Sequence, residues 1–276
     1  MSAAEHVAQG WKAELALQYE RHGDRTVLAS RRHDGPLVVQ KPLYPEGEPV
    51  CHTIIVHPPG GIAGGDELVI SAAVGEGAAA LLTTPGAAKW YRSQARWARQ
   101  HVSLEVHGSL EWLPQETILY SGSLSEMRMA IRLAGDASYL GWEILCLGRT
   151  GSGERFAAGH CLLATQIRRD GRLLWNERGR IDAGGALLQS PAGLAGRTVC
   201  GTLLAAGEID DAALSACRIE QASAGETAVT RLPGLLVGRY LGDSSEAAKH
   251  YFTKLWAILR PALQQRQAVA PRIWST

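Results

Sequence analysis

Residues 13 to 19 alternate in polarity: Ala13, Leu15, Leu17 and Tyr19 share one parity, and Lys12, Glu14, Gln18 and Glu20 hold the other, with Ala16 the exception. An extended chain turns successive side chains to opposite faces, so this run predicts a half-buried strand. The pattern returns at Leu68, Ile70, Ala72 and Val74, and at Val102, Leu104 and Val106. It is sharpest at Met127, Met129, Ile131 and Leu133, where Arg128 and Arg132 take the solvent parity. Glycine and proline clusters separate the runs, at Gly47–Pro49, Pro58–Gly65, Gly75–Gly77, Pro85–Gly86 and Gly122. Strand after strand without intervening helices predicts an antiparallel or coiled β architecture and argues against βαβ units.

Helical spacing emerges only late. Ala248, Phe252, Leu255 and Leu259 follow one another at steps of three and four, making one apolar stripe. Asp243 and Glu246 have capping-box spacing at its start, and Pro261 is expected to end it. A second helix is expected from Asp210 through Leu214 to Cys217. With no linker or internal repeat, the reading is a flexible N-terminus over 1–10 and a single domain over 11–276.

Composition excludes several function classes. Lysine plus arginine is 28 and aspartate plus glutamate 27, a net charge of +1, whereas a nucleic-acid binder needs a basic surface. The hydrophobic share of 46% excludes a disordered solvating chain. Residues 1–10 carry no basic segment followed by an apolar core, and no run reaches the roughly 18 apolar residues of a membrane span, so a soluble cytoplasmic protein is expected. The five cysteines, Cys51, Cys146, Cys161, Cys200 and Cys217, form no C-x-x-C pair and read as reduced and mostly buried.

Catalytic motifs are missing too. The glycine-rich stretch His57–Asp66 has no G-K-[ST] end, and Gly148–Gly153 fails the same test, so a strand–turn–strand corner with positive φ is the better reading of the first. There is no G-x-S-x-G and no H-E-x-x-H. His52 and His57 fall on opposite parities, and His101 and His107 would sit roughly 20 Å apart on a strand, so neither pair is a preformed metal site. Three carboxylates are more informative. Glu143 stands inside Tyr139–Leu147, Asp66 follows four glycines, and Glu177 follows Leu173, Leu174 and Trp175. A carboxylate in such a setting needs a partner, with Arg149 or Arg178 as candidates, or a polar channel to face. A hard oxygen ligand of this kind holds a divalent ion weakly.

At this point the residues resemble a known family. Gln40–Glu46, His57–Asp66, Thr83–Ala87 leading to Lys89–Ser93, Leu110–Thr117, Leu145–Arg149, Leu255–Pro261 and Pro271–Trp274 occur in the order of the UreD (UreH) family of urease accessory proteins. They span the chain from near residue 11 to its end, with Trp90 where another aromatic, often Phe, is usual. The resemblance implies a mainly β, coiled, irregular β-helix-like stack of short strands with two helices near the C-terminal end. It implies a non-catalytic cytoplasmic chaperone or scaffold for inserting nickel into apo-urease, bound to UreF, which recruits the GTPase UreG. UreE is the implied nickel donor, Ni²⁺ is implied to bind only transiently, and no cofactor is held tightly. A nickel passage through the protein is proposed for the family, and Asp66, Glu143 and Glu177 are the residues expected to face it. For a partner surface, Tyr251, Phe252 and Trp256 on the late helix and Arg272 and Trp274 in the tail are the candidates. The competing enzyme reading is a β-helical lyase or hydrolase using paired carboxylates.

Overall fold

The computed structural model describes residues 10–275, so the flexible segment expected over 1–10 lies, apart from Gly10, outside the described residues. β1 (Lys12–His22) and β2 (Arg25–Asp34) form an antiparallel hairpin, and β3 (Val38–Val39) pairs with β4 (Val50–Val56). From there the chain crosses repeatedly between two sheets. β5 (Glu67–Val74), β8 (Ala98–Val106), β11 (Ser123–Leu133) and β13 (Gly159–Arg169) join β1 in the first sheet. The strands between them, β6 (Ala79–Thr83), β9 (Ser109–Leu113) and β12 (Ser138–Leu147), join β4 in the second. Short β7 (Ala88–Trp90) and β10 (Thr117–Leu119) lie between these turns of the coil and pair beside β12.

Successive strands within each sheet's coil are parallel: β1 with β5, β8, β11 and β13 in turn, and β4 with β6, β9 and β12. Parallel neighbours need a crossover. Here the crossover is a strand of the opposite sheet, which is why the sequence shows strand after strand with no helix between. The expected coil is therefore what forms, and its two inner faces supply the main core through side chains such as Leu15, Tyr19, Ile70, Leu104 and Leu110. The alternation read from the sequence marks that inner parity: Leu68, Ile70, Ala72 and Val74 are all buried. The His57–Asp66 stretch is the expected corner, with Gly60 and Gly65 at φ of 74° and 101°.

The coil then ends in antiparallel strands. β14 (Arg172–Asp182) closes the first sheet on β13, and short α1 (Ala186–Gln189) leads to β15 (Val199–Ala206) on β12. After α2 (Asp211–Ile219) come β16 (Glu226–Leu232) and β17 (Leu235–Gly242), giving edge order β16-β17-β15-β12. α3 (Ser245–Gln264) lies across the outer face of the second sheet and buries Tyr251, Phe252, Leu255, Trp256 and Leu259 there. The layers are sheet, sheet, helices.

Two expectations about α3 are corrected. Its N-cap is Ser244, whose Oγ accepts from Ala247 N at 3.1 Å, not Asp243. Asp243 is drawn away by Arg197 at 2.8 Å and by Thr198 N at 3.0 Å. Pro261 does not end the helix, which runs on to Gln264 with Gln265 in the left-handed region as its cap. The hydrogen bond that Pro261 cannot make would have gone to the carbonyl of Ala257, a solvent-exposed residue, where the loss is tolerated.

Candidate functional site

Where the two sheets part toward β14 and β17 they leave a hollow of about 690 Å³. Its walls are apolar inner-face side chains of both sheets, among them Leu68 and Ile70 of the first and Leu145 and Leu204 of the second. It reaches exposed residues at opposite edges of the second sheet: Gly60, Pro85 and Gly86 in loops after β4 and β6, and Glu226 on β16. A polar group stands inside it, made of Glu143, Glu177, Arg239 and Thr202.

Strand register builds this group. Glu143 on β12 is opposite Thr202 on β15, and Thr202 is opposite Arg239 on β17, so the three form one row across the inner face of the second sheet. Glu177 comes from the first sheet, opposite Thr165. Arg239 bridges the layers: its Nη2 donates to Glu177 Oε1 at 2.8 Å and its Nη1 to Thr202 Oγ1 at 2.5 Å. The Trp175 ring lies 5.6 Å from the guanidinium carbon.

Electrostatics separates the two carboxylates. Glu177 has its cation. Burial, and then the charge of Glu177, pushes the Glu143 carboxyl up from 4.5 to about 7. Burial pushes the neighbouring Cys200 thiol up to about 12, with the charge of Glu143 adding to it, so that sulfur is a neutral thiol near pH 7. The phenol of Tyr139 is raised as well, by burial and then by Glu143. Oxygen is thus the ligand type this polar group offers a cation, while the His57 ring lines the hollow elsewhere. Among the described residues no group of three or more His, Cys, Asp and Glu side chains converges as a metal site.

Two of the three expected carboxylates line the hollow, and the third does not. Asp66 is buried but turned into its own loop, where Oδ1 accepts from Trp11 N at 2.8 Å and Oδ2 from Ala63 N at 2.7 Å. It is not among the residues lining the hollow. The suggested arginine partners are also different: Arg149 pairs with Glu154, and Arg178 is one residue along from Glu177 on an alternating strand. Arg239 is the partner that sequence reasoning missed. The signal was available, since Leu235-Leu236-Val237-Gly238-Arg239-Tyr240-Leu241 sets one cation in an apolar strand just as Glu143 is set in its own.

The candidate partner surface changes more. Tyr251, Phe252 and Trp256 are at most 1% exposed and face the second sheet, so they are core and not available to a partner. Trp274 is half-buried: its ring packs against Trp142 and Trp256, its Nε1 donates to Thr83 Oγ1 at 2.8 Å, and Lys249 Nζ sits 4.1 Å from its centroid. Arg272 alone of the five is exposed. The enzyme alternative asked for carboxylates in an open groove, whereas Glu143 and Glu177 face an internal hollow. No helix of the described residues is long and apolar enough to cross a membrane.

Comparison with known proteins is unambiguous. A family model described as UreD urease accessory protein matches residues 12–275. A urease accessory protein UreD from Azoarcus sp. is 55% identical over 275 residues, covering 98% of this chain and 96% of the relative. One from Dechloromonas aromatica is 54% identical over 283 residues, covering 100% and 98%. One from Pseudomonas aeruginosa is 54% identical over 269 residues, covering 96% and 95%.

Proposed function

The chain belongs to the UreD family of urease accessory proteins, and from that premise we propose that it is a non-catalytic chaperone for urease maturation. In this reading it works in the cytoplasm, binds UreF and through it the GTPase UreG, and holds this assembly on apo-urease while nickel is inserted. UreE supplies the nickel to the complex. The nickel ion is cargo. It passes through the hollow between the sheets, touching Glu143 and Glu177 on its way, and is not stored.

The observation that carries the passage is the presence of two carboxylates from opposite sheets in one largely apolar hollow whose lining includes exposed residues near both ends of the second sheet. An apolar wall gives a divalent ion nothing to bind, so sparse oxygen ligands let it move on. Two carboxylates are fewer than the ligand set of a tight site, and the thiols nearby stay protonated. A full-length match to accessory proteins favours cargo over catalysis at these carboxylates.

Reconstitution tests the reading. Apo-urease, Ni²⁺, bicarbonate, GTP, UreF and UreG are combined with and without this chain, and urease activity is followed. Adding the chain should raise the activated fraction, and no gain would overturn the proposal. Glu143→Gln with Glu177→Gln should lower activation at least tenfold while the complex still forms. Unchanged activation by that double variant would remove the passage and leave only the scaffold.

A further inference from the structure

The polar group in the hollow contains a cation of the protein's own, and its placement has a consequence for any metal ion that enters. Arg239 does not lie along the sheet. It crosses from the second sheet to the first, with one arm of the guanidinium on Glu177 and the other on Thr202. Glu143 is two strands away in the same cross-strand row. The positive charge therefore sits on Glu177, and Glu143 lines the same hollow without a cation of its own. Like charges repel, so a divalent ion and this guanidinium compete for the same Glu177 carboxylate.

The neighbouring edge strand offers the side chain a second resting place. Glu226 on β16 lines the hollow, and it lies two residues from Ala228, the residue opposite Arg239. That diagonal spacing is within the reach of a long side chain. Glu226 is exposed and the Arg239 side chain is 41% exposed, so the guanidinium can turn outward without opening the core. Glu177, 35% exposed, would then be free to accept a different cation.

The geometry points to Arg239 as a resident counter-cation that gates the hollow: it keeps Glu177 occupied at rest and must swing toward Glu226 before a metal ion can use that carboxylate. This rests on the nickel-passage reading and adds a regulating residue to it. The occupied site excludes stray cations, and the exchange of one cation for another keeps charge within the apolar walls balanced at Glu177. Arg239 is a positioning residue, since it controls access to the carboxylates and is not itself a ligand.

The test measures binding of Ni²⁺ alone to the full chain in its complex with UreF by equilibrium dialysis. It also measures urease activation against free Ni²⁺. Arg239→Met should lower the Ni²⁺ concentration for half-saturation at least tenfold. Arg239→Lys keeps the charge but loses the two-armed grip, and should lower it about threefold. Glu226→Gln should leave resting binding unchanged and slow activation severalfold. Half-saturation unchanged within twofold in both Arg239 variants would overturn the gate, and if Arg239→Met fails to fold, Arg239→Lys decides alone. The passage reading fails separately, when Glu143→Gln with Glu177→Gln changes neither binding nor activation.

Discussion

Arg260 and Glu111, 149 residues apart in the chain, meet inside the molecule, where the arginine Nε donates to the glutamate at 3.0 Å. Arg260 is fully buried and Glu111 is 1% exposed. The same guanidinium grips Glu46 with two bonds of 2.6 and 2.8 Å, Glu46 accepts a further contact from His52 at 2.5 Å, and Trp256 Nε1 donates to Glu111. Burial holds Glu111 above the usual carboxylate range although Arg260 pulls it down. Burial alone would raise Glu46 too, yet the bonds from His52 and Arg260 keep it below its ordinary value. This network ties α3 to β9 and to the loop before β4.

Removing the shared cation should therefore cost far more than removing a surface one. Arg260→Met leaves Glu111 buried with its charge uncompensated and is expected to destabilise by about 3–5 kcal/mol. Arg260→Lys, with no fork to hold two carboxylates, should be nearly as damaging. Arg132→Met, on an exposed strand face, should cost less than about 0.5 kcal/mol. Urea unfolding midpoints compare the three, and a loss under 1 kcal/mol for Arg260→Met would contradict the network's importance.

The start of α3 gives a sharper local comparison. Ser244→Ala removes the side-chain acceptor for Ala247 N and should cost about 1 kcal/mol. Ser244→Asp keeps an acceptor there and should restore most of that loss. Helix content and thermal midpoint read both. A neutral Ser244→Ala would show that the cap contributes nothing.

These two regions also show what the sequence makes visible. Alternation exposed β1, β5, β8 and β11 with their inner parity, because a half-buried strand writes its faces in period two. The stripe on α3 was equally plain, but a stripe alone does not say whether a sheet or a partner covers it, and the second sheet does. Asp243 lost the cap to its neighbour because Arg197 and Thr198, some 45 residues away, compete for it. The site was legible in half. Glu143 was conspicuous in an apolar strand and Glu177 after an apolar triplet, but Arg239 enters their hollow only through the register of β12, β15 and β17, which no local pattern encodes. Asp66 looked the same in sequence and is occupied by two backbone amides.

The fit of α3 on the sheet depends on a missing side chain. A Cβ on Gly201 would stand 2.7 Å from Phe252 Cε2 and 2.9 Å from its Cζ. Phe252 is fully buried between the sheet and the helix. Gly201→Ala is expected to destabilise by about 1–3 kcal/mol through overpacking, even though alanine suits a strand better than glycine. Gly201→Ala combined with Phe252→Leu should recover part of the loss, measured as a coupling in a double-mutant cycle. Additive effects would mean that the helix simply shifts.

The raised carboxyl of Glu143 makes stability depend on pH in a defined direction. Unfolded, the group titrates near 4.5, and folded it titrates near 7. Between those values the folded chain holds the proton and the unfolded chain has released it, so stability falls as pH rises from 4.5 through 7 and levels off above. Full conversion of the difference gives roughly 3 kcal/mol, and water entering the hollow reduces it, so the expected loss is about 2 kcal/mol. Glu143→Gln has no proton to release. Its stability should match the wild type near pH 4.5 and exceed it by that amount at pH 8, with the difference opening across the window. Urea unfolding at half-unit pH steps measures this, and parallel curves for the two proteins would show that Glu143 is charged throughout.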